Sequence, residues 1–119
     1  MSWLAKIVGA SCSRFGRSAG KSAAEMLSAG AVLVDVRSAG EFAAGHIEGA
    51  LWLPLDRIHL DIATAVPTRT QPLILYCRSG ARSQRACKIV EQMGYSHAIN
   101  GGGVGALSKL LNRPVVGGQ

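Results

Sequence analysis

The chain has 119 residues, room for one domain with one core but not comfortably for two. Its composition, 48% hydrophobic and 17% charged, excludes a disordered chain, and no apolar run approaches the ~18 residues a membrane-spanning helix needs. Lys+Arg 13 against Asp+Glu 7 gives a net charge of +6. With 5% aromatic residues and no long basic run, that excess points to small anions rather than to nucleic acid.

In chain order, "MSWLAKIVGASCSRFGRSA" reads as an N-terminal extension, residues 1–19. Its apolar part is broken by Lys6 and is short for a signal peptide, and "GAS" before Cys12 makes a poor lipoprotein cleavage site. Trp3, Ile7 and Arg14 fit a short amphipathic helix, so membrane contact or export stands as the alternative to a plain extension in the cytoplasm. "KSAAEMLSAG" is predicted as a helix stopped by Gly30. "AVLVDV" is a buried strand, and "SAGEFAAGH" a Ser-started helical turn ending at Gly45. "ALWLPL" is a short strand stopped by Pro54, and "LDRIHLDIATAV" a helix ending before Pro67. "PLILYC" is the second strongly buried strand. "RSQRACKIVEQMG" is the clearest helix, with Ala86, Ile89, Val90 and Met93 on one face and Gly94 at its end. "SHAIN" reads as a strand, "GGG" as a turn, "VGALSKLL" as a helix and "NRPVVGGQ" as a loose tail. Strands alternating with helices imply an α/β fold with a small, mainly parallel central sheet and helices on both faces. The domain is expected over residues 20–116, with 117–119 as a tail.

Cys12, Cys77 and Cys87 are an odd number without a CxxC pair, which argues against a disulfide framework and a structural zinc site and for a reducing compartment. His46, His59 and His97 match no metal-ligand spacing, so no metal is expected.

The stretch "LILYCRSGARSQRACKIV" concentrates the chemistry. Cys77 follows an apolar strand and precedes a helix, the position where ligands bind in parallel α/β sheets. Ser79, Gly80 and Ala81 let the backbone curl so that successive N–H groups point inward, a nest for an anion or a thiolate, to which the helix adds its positive end. Arg82 and Arg85 stand at that positive end, where cations are disfavoured by about 0.3–1 kcal/mol each. They make sense if a negative charge occupies the loop, which Arg78 and Arg82 are close enough to line. The same field lowers the pKa of Cys77 from its free value of ~8.5 and yields a nucleophilic thiolate. Cys87, beside the apolar face of the helix, reads as a core residue, and Cys12 as incidental.

Three blocks then resemble the rhodanese family: "DVRSAGEFAAGHIEGA", "YCRSGARS" and "NGGG" followed by a short helix and "RPV". The resemblance spans roughly residues 20 to 116. It implies a rhodanese-like fold and a sulfurtransferase reaction without metal or organic cofactor. Cys77 attacks the outer sulfur of thiosulfate or a similar small anionic donor, and a thiol, a thiol protein or cyanide collects the sulfur from the persulfide. Arg78, Ser79, Gly80, Ala81 and Arg82 hold the donor. Asp35, Arg37, Glu41, His46 and Ser83 are supporting residues, with Arg37 and Glu41, four apart, expected to pair across a turn. Many family members carry a tryptophan shortly after the Gly-rich turn, whereas "GGGVGALSKLL" has none. That departure bears on the pocket rim and hence on substrate preference.

Two rivals share the fold. One is phosphatase or arsenate reductase chemistry: the cell-cycle phosphatases have five residues between the loop cysteine and arginine, and this chain has four, from Arg78 to Ala81. A sulfur relay or binding module serving one protein partner is the other.

Overall fold

A computed structural model describes residues 17–117. The expectations for Trp3, Ile7, Cys12 and Arg14, and for the last two residues of the tail, lie outside the described residues.

The first helix, α1 (Arg17–Ser28), spans the boundary placed at residue 19. It buries Ala23 and Met26 completely. Its end is fixed locally. Gly30 takes φ +100, while the N–H of Ala31 reaches back to Met26 O (2.9 Å) and that of Gly30 to Leu27 O (3.0 Å), which satisfies carbonyls the helix leaves open. The chain then enters β1 (Val32–Asp35), the helical turn α2 (Ala39–Ala44), and the short strands β2 (His46–Ile47) and β3 (Leu51–Trp52). After α3 (Ile58–Ala65) come β4 (Leu73–Cys77), α4 (Ala81–Gln92), β5 (Ala98–Gly103), α5 (Val104–Leu111) and β6 (Val115–Val116).

The main sheet has the order β3-β1-β4-β5, and each neighbouring pair is parallel. All five residues of β4 are buried, as a strand covered on both faces requires. Alternate strand residues feed two separate cores. Val34, Leu73, Leu75 and Cys77 pack with Ile58 and Ile62 of α3 and with Ala86, Cys87 and Val90 of α4. Leu33, Ile74, Tyr76 and Ile99 pack on the other face with Met26 of α1 and Leu107 of α5. Helices therefore flank both faces, as the alternating pattern implied. Burying each Ile or Leu contributes about 1.5–3 kcal/mol, and truncating Ile62 to Ala costs about 2–5 kcal/mol by leaving a void between α3 and the sheet. Among the described residues no helix is long and apolar enough to cross a membrane.

Two sequence expectations are corrected here. The "GGG" segment is not a turn but the second half of β5, paired with Tyr76 and Cys77. An ideal Cβ on Gly103 would lie 2.6 Å from Arg78 O, so only a residue without a side chain lets this strand run beside the cysteine loop. The "loose tail" is also partly ordered, since Val115 and Val116 pair antiparallel with Ile47 and His46.

Candidate active site

From β1 the chain moves outward to β3, then crosses back to place β4 on the other side of β1. The C-terminal ends of β1 and β4 thus lie side by side where the winding direction changes, the crevice in which open α/β sheets bind ligands. Asp35 and Arg37 arrive from β1, Cys77 from β4.

Cys77 is 1% exposed, and its sulfur lies inside the turn that follows it. Gly80 caps α4 with φ 104 and aims its N–H at Cys77 Sγ, 2.9 Å away. An L-residue with a side chain resists that left-handed backbone, which is why the turn needs glycine at this position. Ser83 Oγ lies 3.5 Å from the same sulfur. Burial pushes the Cys77 thiol up, but the Ser83 hydroxyl and the backbone N–H groups of Ser83, Ser79 and Gly80 outweigh it, and the net shift is downward.

Asp35 is completely buried and Arg37 nearly so. Arg37 Nε and Nη2 meet the two Asp35 oxygens at 3.0 and 2.7 Å, the Arg37 backbone N–H adds a third bond to Oδ1 at 2.9 Å, and Nη2 also donates to Gly45 O at 2.6 Å. Burial alone would lower the Arg37 pKa, yet the hydrogen bond and charge of Asp35 raise it overall. The expected Arg37–Glu41 pair does not form. Spacing of four residues brings side chains together only within a helix, and Arg37 precedes Ser38, the residue that caps α2.

Glu41 instead faces α4. Its carboxylate accepts Arg82 Nη1 and Nη2 at 2.7 and 2.9 Å, and it closes a capping box with Ser38. The Arg82 guanidinium holds the Glu41 carboxyl well below the usual carboxylate range. Arg82 is therefore not an unpaired cation awaiting an anion: the negative charge it meets first belongs to its own chain. Arg78 and Arg85 are exposed and, among the described residues, have no carboxylate partner. A cavity of about 350 Å³ opens beside the loop, lined by Arg37, Glu41, Ala44, Gly45, Arg78 and Val104; Cys77 is not in its lining.

His46 stacks on Phe42 with ring centroids 3.8 Å apart, and its Nδ1 lies 2.9 Å from Phe42 O, so it braces the end of α2. Trp52 Nε1 donates to Arg37 O at 2.9 Å from the other side. Tyr76 supports the same corner. Its hydroxyl accepts the Ile47 N–H at 3.0 Å, and burial pushes the phenol well up. Ser79 and Ala81 are exposed on the outside of the loop. Among the described residues no group of three or more His, Cys, Asp or Glu side chains is placed to hold a metal ion.

Asn100 is the residue sequence reasoning missed. Completely buried on β5, it bonds both Gly80 O and Ser83 Oγ. The signal was present, since an asparagine inside an otherwise apolar buried strand needs a polar partner.

Comparison with known proteins gives the same fold and family. The rhodanese-like domain family matches residues 20–107. The chain is 38% identical over 71 residues to the thiosulfate sulfurtransferase PspE of Escherichia coli (strain K12), covering 60% of this chain and 68% of that protein. It is 41% identical over 69 residues to a sulfurtransferase of Allochromatium vinosum, covering 58% of this chain and 63% of the relative's length. Against the thiosulfate sulfurtransferase GlpE of Ectopseudomonas mendocina the identity is 37% over 92 residues, 76% of this chain and 83% of that one. A solved structure described as a rhodanese with anions from E. coli superposes with a TM-score of 0.65 at 36% identity, covering 73% of this chain and 98% of the other. With its family match extending over most of its length, the chain belongs to the rhodanese-like domain family and is a rhodanese-like transferase.

Proposed function

We propose that this chain is a sulfurtransferase that moves a sulfane sulfur from thiosulfate, or a donor of the same kind, to a thiophilic acceptor through a persulfide on Cys77. The observation that carries the reading is the Gly80 N–H aimed at Cys77 Sγ from the start of α4. A backbone donor that costs no reorganisation favours the anionic over the neutral sulfur. Relatives of similar size named thiosulfate sulfurtransferase support the donor class.

In the first step the Cys77 thiolate attacks the outer sulfur of thiosulfate. The new Sγ–S bond forms as the old S–S bond breaks, and its electron pair leaves with sulfite. In the second step the acceptor, cyanide or a thiol, attacks the outer persulfide sulfur and returns the electron pair to Cys77 as a thiolate. The loop amides of Ser79 and Gly80 hold the charge on sulfur, and Arg78 and Arg82 draw the anionic donor. Ala81 keeps the outer face of the loop small. Asp35, Arg37, Glu41, His46 and Ser83 support the loop. Four residues between Cys77 and Arg82 suit the single reacting sulfur better than a phosphoryl group. The two free thiols among the described residues, Cys77 and Cys87, suit a reducing compartment, and we place the reaction in the cytoplasm.

Intact-mass measurement after brief incubation with thiosulfate tests the reading, beside the Cys77→Ser variant. One added sulfur atom, removed by cyanide and missing in the variant, is expected. No adduct in the wild type would move the assignment to a binding module.

A further inference from the structure

Asn100 is 0% exposed, and its side-chain polar atoms are all engaged. Oδ1 accepts the Gly102 N–H at 2.9 Å and lies 2.6 Å from Ser83 Oγ; Nδ2 donates to Gly80 O at 2.9 Å and to Gln84 Oε1 at 3.2 Å. An irregularity in β5 supports this arrangement, because Asn100 pairs with Leu75 while Gly102 pairs with Tyr76, leaving one extra residue between them. The backbone N–H of Gly102 only donates and the carbonyl of Gly80 only accepts, so the amide has a single satisfactory orientation. In the 2.6 Å contact Ser83 is therefore the donor.

A hydroxyl has one proton to give. Ser83 Oγ has three acceptors in reach: Asn100 Oδ1 at 2.6 Å, Gly80 O at 3.2 Å and Cys77 Sγ at 3.5 Å. With neutral sulfur, a weak acceptor, the short bond to Asn100 holds the proton. A negative sulfur reverses the order, since a hydrogen bond to a charged acceptor is roughly twice as strong. The change needs only rotation about the Ser83 Cβ–Oγ bond.

We propose that Asn100 is a positioning residue that holds the Ser83 hydroxyl proton away from neutral Cys77 and yields it when the sulfur is anionic. It fixes the resting direction of that proton, and it anchors Gly80, whose N–H also donates to sulfur. The charged groups facing this site are Asp35 and Arg37 from β1, Glu41 from α2, Arg78 from the loop and Arg82 from α4. Four of these are tied in the two ion pairs already described. The neighbouring elements carry Asp61 on α3, Glu25 on α1 and Lys109 on α5, none of them buried. His97 sits at the opposite end of β5, where its carbonyl accepts the Leu73 N–H.

The inference rests on Cys77 as the reacting thiol, but its test uses no sulfur donor, so failure of the transfer reading and failure of this one remain distinct. Carbon-13 chemical shifts of the labelled full chain are followed between about pH 5 and pH 10. Asn100 Cγ is expected to move with the same midpoint as Cys77 Cβ as the hydroxyl leaves Oδ1. In Ser83→Ala, Cys77 still titrates but the Asn100 response disappears. An Asn100 signal that stays flat through the Cys77 midpoint, or one that persists in Ser83→Ala as a pure field effect, overturns the proposal. Asn100→Ala adds a second check, because removing the competing acceptor should lower the midpoint of Cys77 alkylation by roughly half a pH unit. That lowering must vanish in the Ser83→Ala background; an equal shift in both backgrounds counts against the proposal. If Asn100→Ala does not fold, the wild-type titration alone decides.

Discussion

Glu41 and Arg82 are 41 residues apart in sequence, yet their side chains meet through two bonds of 2.7 and 2.9 Å and tie α2 to the first turn of α4. The pair sits at the end of the helix that carries the cysteine loop and offsets the unfavourable placement of a cation there. It also links the "DVRSAGEF" block to the cysteine block.

Glu41→Gln is expected to destabilise the fold by roughly 0.5–1 kcal/mol at neutral pH, the usual scale for a partly exposed pair with good geometry. The sign of its pH dependence follows from the lowered carboxyl pKa. Stability from a depressed carboxylate is fully present above its unfolded value, ~4.3, and is lost as pH falls through the native value. The difference between wild type and Glu41→Gln in urea unfolding should therefore shrink below about pH 4. A difference that stays constant down to acid pH would assign the effect to the Ser38 cap instead.

Arg82→Ala should raise the apparent KM for thiosulfate more than it lowers stability, because the guanidinium lies partly exposed beside the loop. Steady-state rates and thermal unfolding measured on the same preparation separate the two effects. Loss of folding without a change in donor use would mean that Arg82 serves Glu41 alone.

Cys77→Ser is expected to abolish sulfur transfer, and Cys87→Ser to leave most of it. Cys87 is completely buried between α4 and the sheet, so a hydroxyl there costs about 1–3 kcal/mol of stability without touching the loop. Cyanide turnover and melting temperature check both variants. Full turnover in Cys77→Ser would end the proposed mechanism.

Alkylation of Cys77 by iodoacetamide should show a midpoint below the free-thiol value of ~8.5, in keeping with the lowered pKa. Gly80→Ala should move that midpoint up, since the left-handed backbone at φ 104 resists a side chain and the N–H turns away from sulfur. An unchanged midpoint in a folded Gly80→Ala protein would remove Gly80 from the account.

Asp35→Asn should cost about 3–5 kcal/mol, because it leaves the buried Arg37 without its counter-charge. Replacing both residues with apolar ones should cost less than the single change. Urea unfolding of the three proteins measures this, and a double variant as unstable as the sum of its parts would contradict it.

The alternating pattern of the sequence was sufficient for the parallel α/β layout, because a strand buried on both faces must be apolar throughout and a covering helix must carry an apolar face. Cys77 and Gly80 were legible for a related reason: the turn that encloses the sulfur is built from consecutive residues, so local spacing contains its geometry. Tertiary structure decided everything that joins distant segments. Arg37 chose Asp35 over Glu41 because helical spacing does not apply before the Ser38 cap, and Glu41 found Arg82 only because α2 and α4 both open at the same end of the sheet. The glycine run is strand rather than turn because Gly102 and Gly103 pair with Tyr76 and Cys77, and Gly103 can do so only without a side chain, beside the backbone of Arg78. Asn100 reached Ser83 because α4 packs across β5, a relation no sequence spacing contains. Local chain geometry is set by neighbouring residues, whereas charge and hydrogen-bond partners are set by which elements the sheet brings together.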